Sequence, residues 1–269
     1  MLGFACQKST PKALDTPNTK SQTSTPGFTL NILTEITDPK ERDKVEAWVK
    51  ETISILHSSD FDENLKSISA QYPDVWISRP HDIIPSKRLS DILNTNYLYL
   101  PSLWWPESFV TLEGQVPQKD PDMAGHGFLG SRHASTGLHA NKINGHIRLG
   151  RVHLARYNSN NLVEKSCAIN TMAHEISHTL SERKNAFWML ILDSGSENRP
   201  PLGVIEASYL IGSVAQCTYL QKENRILESD LHACFKTFSN PDSGSRFRSQ
   251  ACDDFPNQAP IWPDKANLD

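Results

Sequence analysis

The fold is decided by the stretch Asn170-Thr171-Met172-Ala173-His174-Glu175-Ile176-Ser177-His178-Thr179-Leu180, which contains the pattern H-E-x-x-H. Side chains four positions apart lie one above the other on the same face of a helix. His174 and His178 can therefore present two imidazoles to one ion, with Glu175 beside them. Zinc binds imidazole readily, and three protein ligands leave a fourth position for water. The spacing predicts one helical turn that carries two metal ligands and a general base.

The residues around the two histidines suit a buried helix. They are uncharged, and no proline or glycine interrupts the turn. The alternative is a half-buried helix whose two histidines hydrogen-bond to neighbouring groups and bind no metal.

The stretch resembles the zinc-dependent metallopeptidases called zincins. Their extended pattern asks for Val or Thr three positions before the first histidine and for a hydrophobic residue two positions after the second. Thr171 and Leu180 match it. The resemblance implies an α+β, zincin-like fold, with an edge strand of a small mixed sheet over the H-E-x-x-H helix. A mainly helical lower lobe would then carry the third ligand.

The third ligand separates the zincin subclasses. Metzincins require Gly at position 181 and His at position 184, where this chain has Ser181 and Lys184, so that subclass is excluded. The remaining resemblance is to gluzincins, which take a glutamate from a second helix. The candidate carboxylates in this chain are Glu182, Asp193, Glu197 and Glu206.

Glu206 is the preferred third ligand. It opens the apolar run 204–216, far enough after His178 for the chain to turn and return. A carboxylate in such a run is costly to bury unless it meets a cation. The alternative is a carboxylate at a helix N-terminus, where the helix dipole favours it.

The resemblance also implies the remaining catalytic roles. Glu175 would activate a water molecule for attack on a peptide carbonyl and then protonate the leaving amine. An oxyanion donor is expected on or after the glutamate helix, and Tyr209 is preferred over Tyr219 and His232. Thermolysin-like enzymes place an Asp four residues after the metal glutamate. This chain has Leu210 there, so Asn170, four residues before the first histidine, is the candidate for orienting a ligand.

Substrate recognition is predicted upstream of this helix. The stretch 146–157 alternates polar and apolar residues, which predicts a strand with a bulge near Gly150. In zincins such a strand forms the sheet edge that pairs with extended substrate, so Leu149, Gly150 and Arg151 are the candidate substrate-binding residues. An ordinary half-buried strand is the alternative. The five histidines of this region have no compact ligand spacing and favour a loop bordering the cleft: His126, His133, His139, His146 and His153.

Five cysteines without a C-x-x-C pattern predict disulfides in an oxidising compartment, and therefore an exported protein. If the two ligand helices pack antiparallel, Cys167 and Cys217 come to the same end, which predicts a Cys167–Cys217 bond. Cys234–Cys252 is then expected from proximity. Cys6 is left over. It follows a short apolar segment that loosely fits a lipoprotein signal, so lipid attachment and a free thiol both stay open.

Composition excludes several classes of function. The net charge of −4 and the absence of a basic cluster argue against a nucleic-acid partner. No apolar run approaches the length of a transmembrane helix. A peptide or protein substrate is the expected partner.

Three segments organise the chain. Residues 1–27 are rich in Ser, Thr, Pro and Lys and predict a flexible tether. Residues 28–115 would be the N-terminal α/β part of the catalytic unit, and residues 116–269 the zincin core. A first strand is expected over 28–36, helices over 38–57, 60–72 and 230–238, irregular chain over 73–117 and a strand over 109–112. The H-E-x-x-H helix should continue to about Lys184 and the Glu206 helix to about Tyr219.

The sequence therefore predicts a gluzincin-like zinc peptidase that binds Zn²⁺ through His174, His178 and Glu206. Two other classes stay open. One is a zinc-stabilised surface binding or adhesion protein without catalysis, and the other is an intracellular protein with no metal and reduced thiols.

Overall fold

The structure is a computed structural model, and it describes residues 36, 38–77, 82–94, 108–112, 135–138, 145–178, 181–184, 187–191, 200–201, 203–239 and 252. Within these residues, groups of helices and groups of short strands follow one another, which confirms the α+β class. The tether and the strand expected over 28–35 lie outside them. Among the helices that they form, none is both long and apolar enough to cross a bilayer.

The first two helices start where the sequence places their caps. Helix α1 (Pro39–Leu56) begins after Asp38, whose carboxylate accepts a hydrogen bond from the N–H of Lys40 at 2.8 Å. Proline at the first helical position suits this end, because its missing N–H would have no helical partner. Helix α2 (Ser59–Gln71) begins after Ser58, which caps it in the same way. Both predicted helices are confirmed.

The segment predicted to be irregular is largely regular. It contains β1 (Asp74–Ile77), β2 (Asp82–Pro85), α3 (Lys87–Asn94) and β3 (Ser108–Leu112), of which only β3 was expected. Strands β1 and β2 pair antiparallel, and β1 also pairs parallel with β8 (Ile205–Glu206). Runs of four residues interrupted by prolines are too short for periodicity to reveal them.

A second sheet precedes the H-E-x-x-H helix. It contains β3, β4 (Ser135–Leu138) and β5 (Gly145–Leu149) in the order β3-β5-β4. The strand predicted to reach Tyr157 is wrong beyond Leu149, because Gly150 caps helix α4 (Arg151–Tyr157). Leu154 and Tyr157 are three residues apart and both buried, as one helical face requires.

Helix α5 (Leu162–Ser177) ends within the H-E-x-x-H pattern, so the predicted extension to Lys184 is wrong. After it the chain forms the antiparallel pair β6 (Ser181–Lys184) and β7 (Phe187–Leu190). The chain then continues through β8 into α6 (Ala207–Lys222) and, later, α7 (Leu231–Ser239), so both downstream helices are confirmed.

One core joins the N-terminal and C-terminal parts of the chain. The indole Nε1 of Trp48 in α1 donates to the carbonyl of Ala168 in α5 at 3.2 Å. The amide of Asn64 in α2 donates to the hydroxyl of Thr218 in α6 at 3.0 Å. Residues before 115 therefore pack directly on both helices proposed to carry ligands.

The disulfides join different partners from those predicted. The bonds are Cys167–Cys252 and Cys217–Cys234, so the predicted pairs Cys167–Cys217 and Cys234–Cys252 are wrong. The premise was sound, because Gln216, the residue before Cys217, contacts the sulfur of Cys167. Successive helical residues point about 100° apart. The side chain that faces α5 is therefore Gln216, and Cys217 bonds to α7 instead. Cys6 lies outside the described residues.

Candidate metal centre

Helix α5 carries the motif in an almost fully buried setting. Its first turn is capped by the side chain of Asn161, which accepts hydrogen bonds from the N–H groups of Val163 at 2.9 Å and Glu164 at 3.4 Å. From Met172 to Ser177 every residue is buried. Such a helix fixes its side chains through packing, which a preorganised site requires.

The two histidines lie side by side as their spacing predicts. The Nε2 atoms of His174 and His178 are 3.1 Å apart, and both residues are buried. His178 is the C-cap residue of α5 rather than an interior residue, but its backbone is still helical at φ −67° and ψ −19°. The two imidazoles therefore still lie one helical turn apart, although the helix ends at Ser177.

A main-chain carbonyl fixes the orientation of the second imidazole. His178 Nδ1 lies 2.8 Å from the carbonyl oxygen of Ile191, directly after β7. A carbonyl oxygen can only accept, so Nδ1 carries the hydrogen. In the neutral ring the lone pair is then on Nε2, the atom that faces His174. Metal-binding histidines commonly have this arrangement, in which the outer nitrogen donates to a carbonyl or carboxylate.

The spacing of the two nitrogens suits two kinds of contact. Zinc–nitrogen bonds of about 2.0–2.1 Å at a tetrahedral angle put two imidazole nitrogens about 3.3–3.4 Å apart. The observed 3.1 Å is close to that distance. It also suits a hydrogen bond in which His174 Nε2–H donates to His178 Nε2. The pair can therefore bind a cation or share a proton.

Helix α6 runs antiparallel to α5 and brings the third candidate to the same end. Gln216 contacts Ser166 and Asn170, Gly212 faces Asn170 and His174, and Tyr209 contacts His174. Positions rise along α5 as they fall along α6. One further turn leads from Tyr209 to Glu206 and from His174 to His178, so the N-terminus of α6 comes to the level of the imidazole pair.

Glu206 lies where the chain passes from β8 into α6. Its backbone pairs with Trp76 in β1, it is the N-cap residue of α6, and it is only 2% exposed. Glu175 is similarly buried at 4%. Among the residues that the structure describes, however, no three His, Cys, Asp or Glu side chains form a group able to hold a metal. The histidines are together, and the role of Glu206 as third ligand stays a prediction.

The three candidates for an oxyanion donor lie in different places. The ring of half-buried Tyr209 meets the ring of His174 edge to face, with centroids 4.4 Å apart. Tyr219 is buried at the far end of α6, under the ammonium of Lys165. His232 is in α7, with Nε2 3.2 Å from the hydroxyl of Ser67. Of these three side chains, the structure brings only Tyr209 to the histidine pair.

The structure does not place the other candidate ligands, or the candidate orienting residue, as predicted. Glu182 belongs to strand β6 and not to an extension of α5. Asp193 and Glu197 lie outside the described residues. The side chain of Asn170 donates to Gln216 at 2.7 Å, across the interface with α6, instead of orienting a histidine.

The predicted substrate-binding strand is not a sheet edge. Strand β5 pairs with β3 on one side and with β4 on the other, so the edge assignment is wrong. Leu149 is buried, Gly150 caps α4, and Arg151 forms an ion pair with Glu41. Alternating polarity cannot tell a central strand from an edge strand, because the side chains alternate in both.

The clustered histidines separate as well. His146 is in β5 as expected, whereas His153 is buried in helix α4 rather than in a strand. His126, His133 and His139 lie outside the described residues.

Three groups in this region were not predicted from the sequence. They are the carbonyl of Ile191, the backbone of Gly212 and the amide of Gln216. A main-chain carbonyl leaves no trace in a sequence. A glycine and a glutamine inside an otherwise apolar helix are visible, and they indicate close packing and a buried polar contact.

Comparison with protein-family models, with curated proteins and with solved structures finds no match for this chain. Its function is therefore inferred from the residues and their geometry.

Proposed function

We propose that the chain is a zinc-dependent peptidase, gluzincin-like in its ligand set and zincin-like in the arrangement of its two ligand helices. His174 and His178 would hold the ion through Nε2, and Glu206 would complete the set. The observation that carries the proposal is the buried Nε2 pair, in which the Ile191 carbonyl directs the lone pair of His178 toward its neighbour.

The burial of two carboxylates is compatible with a cation site. Two carboxylates are almost fully buried here. Glu175 is in α5, beside the histidines in sequence, and Glu206 is at the N-terminus of α6. Burying carboxylates is costly unless positive charge or hydrogen bonds compensate. A divalent cation between two neutral imidazoles would be one source of that compensation, beside the other partners that these carboxylates have.

The roles of the side chains follow from their chemistry. Bound zinc would act as a Lewis acid, polarising the peptide carbonyl and lowering the pKa of water. Glu175 takes the proton of the attacking water and delivers it to the leaving amine. Tyr209, packed against His174, donates to the oxygen on which negative charge develops. Peptides are the proposed substrates.

We also propose export. Two disulfides fit an oxidising compartment, and Cys6, within the N-terminal segment 1–27, would allow lipid attachment.

The test is a pair of conservative exchanges on one helix. The full chain is stripped with a chelator and reloaded with Zn²⁺, and the ion is located by anomalous scattering at the zinc edge. Glu175→Gln is expected to keep one zinc per chain and to lose peptidase activity by about 10²–10⁴-fold. Glu164→Gln makes the same chemical change in the first turn of α5 and should leave both properties unchanged.

Other outcomes would contradict the proposal. The metal assignment fails if no anomalous peak appears at His174 and His178. The catalytic assignment fails if Glu175→Gln is as active as the wild type.

Two observations favour a second candidate, a zinc-stabilised binding protein without catalysis. The described residues do not gather a third ligand, and β5 offers no free edge to a peptide. This candidate predicts zinc uptake and a raised melting temperature, with no cleavage across a broad peptide library.

A further inference from the structure

The interface between α5 and α6 contains a polar contact that holds the two helices in one register. Gln216 is fully buried. Its Oε1 accepts a hydrogen bond from Asn170 Nδ2 at 2.7 Å, and its Nε2 donates to the hydroxyl of Ser166 at 3.0 Å. Both ends of one amide are thus bonded to two successive turns of α5. Sliding the helices by one turn would leave these buried polar atoms unpaired, which is unfavourable.

One turn closer to the histidines, the two helices approach at a glycine. A Cβ atom at Gly212 would overlap Asn170 Oδ1, and it would lie 3.0 Å from the carbonyl oxygen of Asn170 and 3.3 Å from Cβ of His174. Any side chain at this position must push α6 away from α5 or displace Asn170. The absence of a side chain at position 212 therefore sets the distance between α6 and the backbone of His174.

The next turn carries the ring contact between Tyr209 and His174, and the turn after it leads to Glu206. Three successive levels of the interface thus end at the imidazole pair. A shift of α6 at Gly212 moves Tyr209 and Glu206 relative to both histidines, because a helix moves as a rigid rod over two turns.

We propose that Gly212 and Gln216 are positioning residues, which hold α6 in the register and at the distance that keep Tyr209 against His174 of the proposed zinc site. The zinc part of this inference rests on the function proposed above. The register part concerns the protein without metal. Neither residue touches substrate or ion, and both act through His174, Tyr209 and Glu206.

The experiment compares Gly212→Ala and Gln216→Met with a control on the opposite face of α6. Thr218→Val removes a buried hydroxyl that accepts from Asn64 in α2 and donates to the carbonyl of Val214. It weakens packing against α2 rather than α5. Zn²⁺ affinity is measured on the full chain by competition with a chromophoric chelator. The imidazole ¹H and ¹⁵N shifts are measured on the metal-free protein.

Both positioning variants are expected to lower Zn²⁺ affinity about 10–100-fold, the range seen when outer-shell partners of metal ligands are removed. They should also change the ring-current shift that Tyr209 imposes on the His174 ring. Thr218→Val should leave the Zn²⁺ affinity within about twofold of the wild type, even if its melting temperature falls as much as that of the two positioning variants.

Each result decides one part of the inference. If the folded variants keep the wild-type His174 shifts and affinity, the positioning role is overturned. An equal loss of affinity in Thr218→Val would reduce the effect to general destabilisation. If the wild-type chain takes up no Zn²⁺, the proposed function fails, and the metal-free shifts still decide whether Gly212 and Gln216 set the register.

Discussion

The two disulfides stabilise the fold unequally. They close loops with sequence separations of 17 for Cys217–Cys234 and 85 for Cys167–Cys252. In the chain-entropy treatment, the constraint on the unfolded state grows with the logarithm of loop length. It gives about 3 kcal/mol for the shorter loop and about 4.5 kcal/mol for the longer one.

The measurement is urea unfolding of two double variants. Cys217→Ala/Cys234→Ala should lose about 3 kcal/mol and Cys167→Ala/Cys252→Ala about 4.5 kcal/mol of the free energy of unfolding. The first loss corresponds to a fall in melting temperature of about 6–12 °C for a chain of this size. Cys6→Ala, outside both pairs, is the control.

A mixed variant tests the pairing itself. Cys167→Ala/Cys217→Ala removes one partner from each observed bond and leaves Cys234 and Cys252 without theirs. A thiol count on the denatured protein should therefore find three free thiols, including Cys6. A count of one, or a peptide map of the wild-type protein that joins Cys167 to Cys217, would refute this pairing and its loop lengths.

The remaining predictions concern the supports of α5. Glu51 accepts a hydrogen bond from Tyr157 at 2.8 Å and pairs with Lys165 at 3.1 Å, in a partly exposed setting. Glu51→Gln should therefore lower the free energy of unfolding by about 1 kcal/mol in urea titrations. Burial, and then the bond to Glu51, raise the pKa of Tyr157 above its ordinary value. The folded state thus holds this proton more tightly, so stability should fall as pH rises above about 10, and less steeply in Tyr157→Phe. Asn161→Ala should cost about 1 kcal/mol by removing the cap of α5, whereas Asn161→Ser should keep most of it; equal losses would contradict the capping role.

Local chemistry made several of the helices predictable. The capping carboxylate of Asp38 with its following proline marks the start of α1. The i, i+4 relation between His174 and His178 depends only on helix geometry, so the imidazole pair was expected, and the structure confirms it.

Tertiary contacts decided what the sequence could not. Helix α5 ends at Ser177 because the following chain enters a hairpin, whose far strand returns Ile191 to His178. The central place of β5 depends on pairing with strands distant in sequence. The cysteine pairing depended on which residue of α6 faces α5. Gln216 faces α5, so Cys217, one residue further along the helix, points away from α5 and bonds to α7.

The union of early and late segments in a single core has a consequence during synthesis. Trp48 finds its carbonyl partner 120 residues later, and Asn64 finds its hydroxyl 154 residues later. Contacts between residues this far apart in sequence form slowly, because closing a long loop costs conformational entropy before the contact can form. The faces of α1 and α2 that contact α5 and α6 thus stay uncovered until those later helices have emerged from the ribosome. A factor that shields nascent apolar surface should raise the yield of this protein more than that of a chain with local contacts.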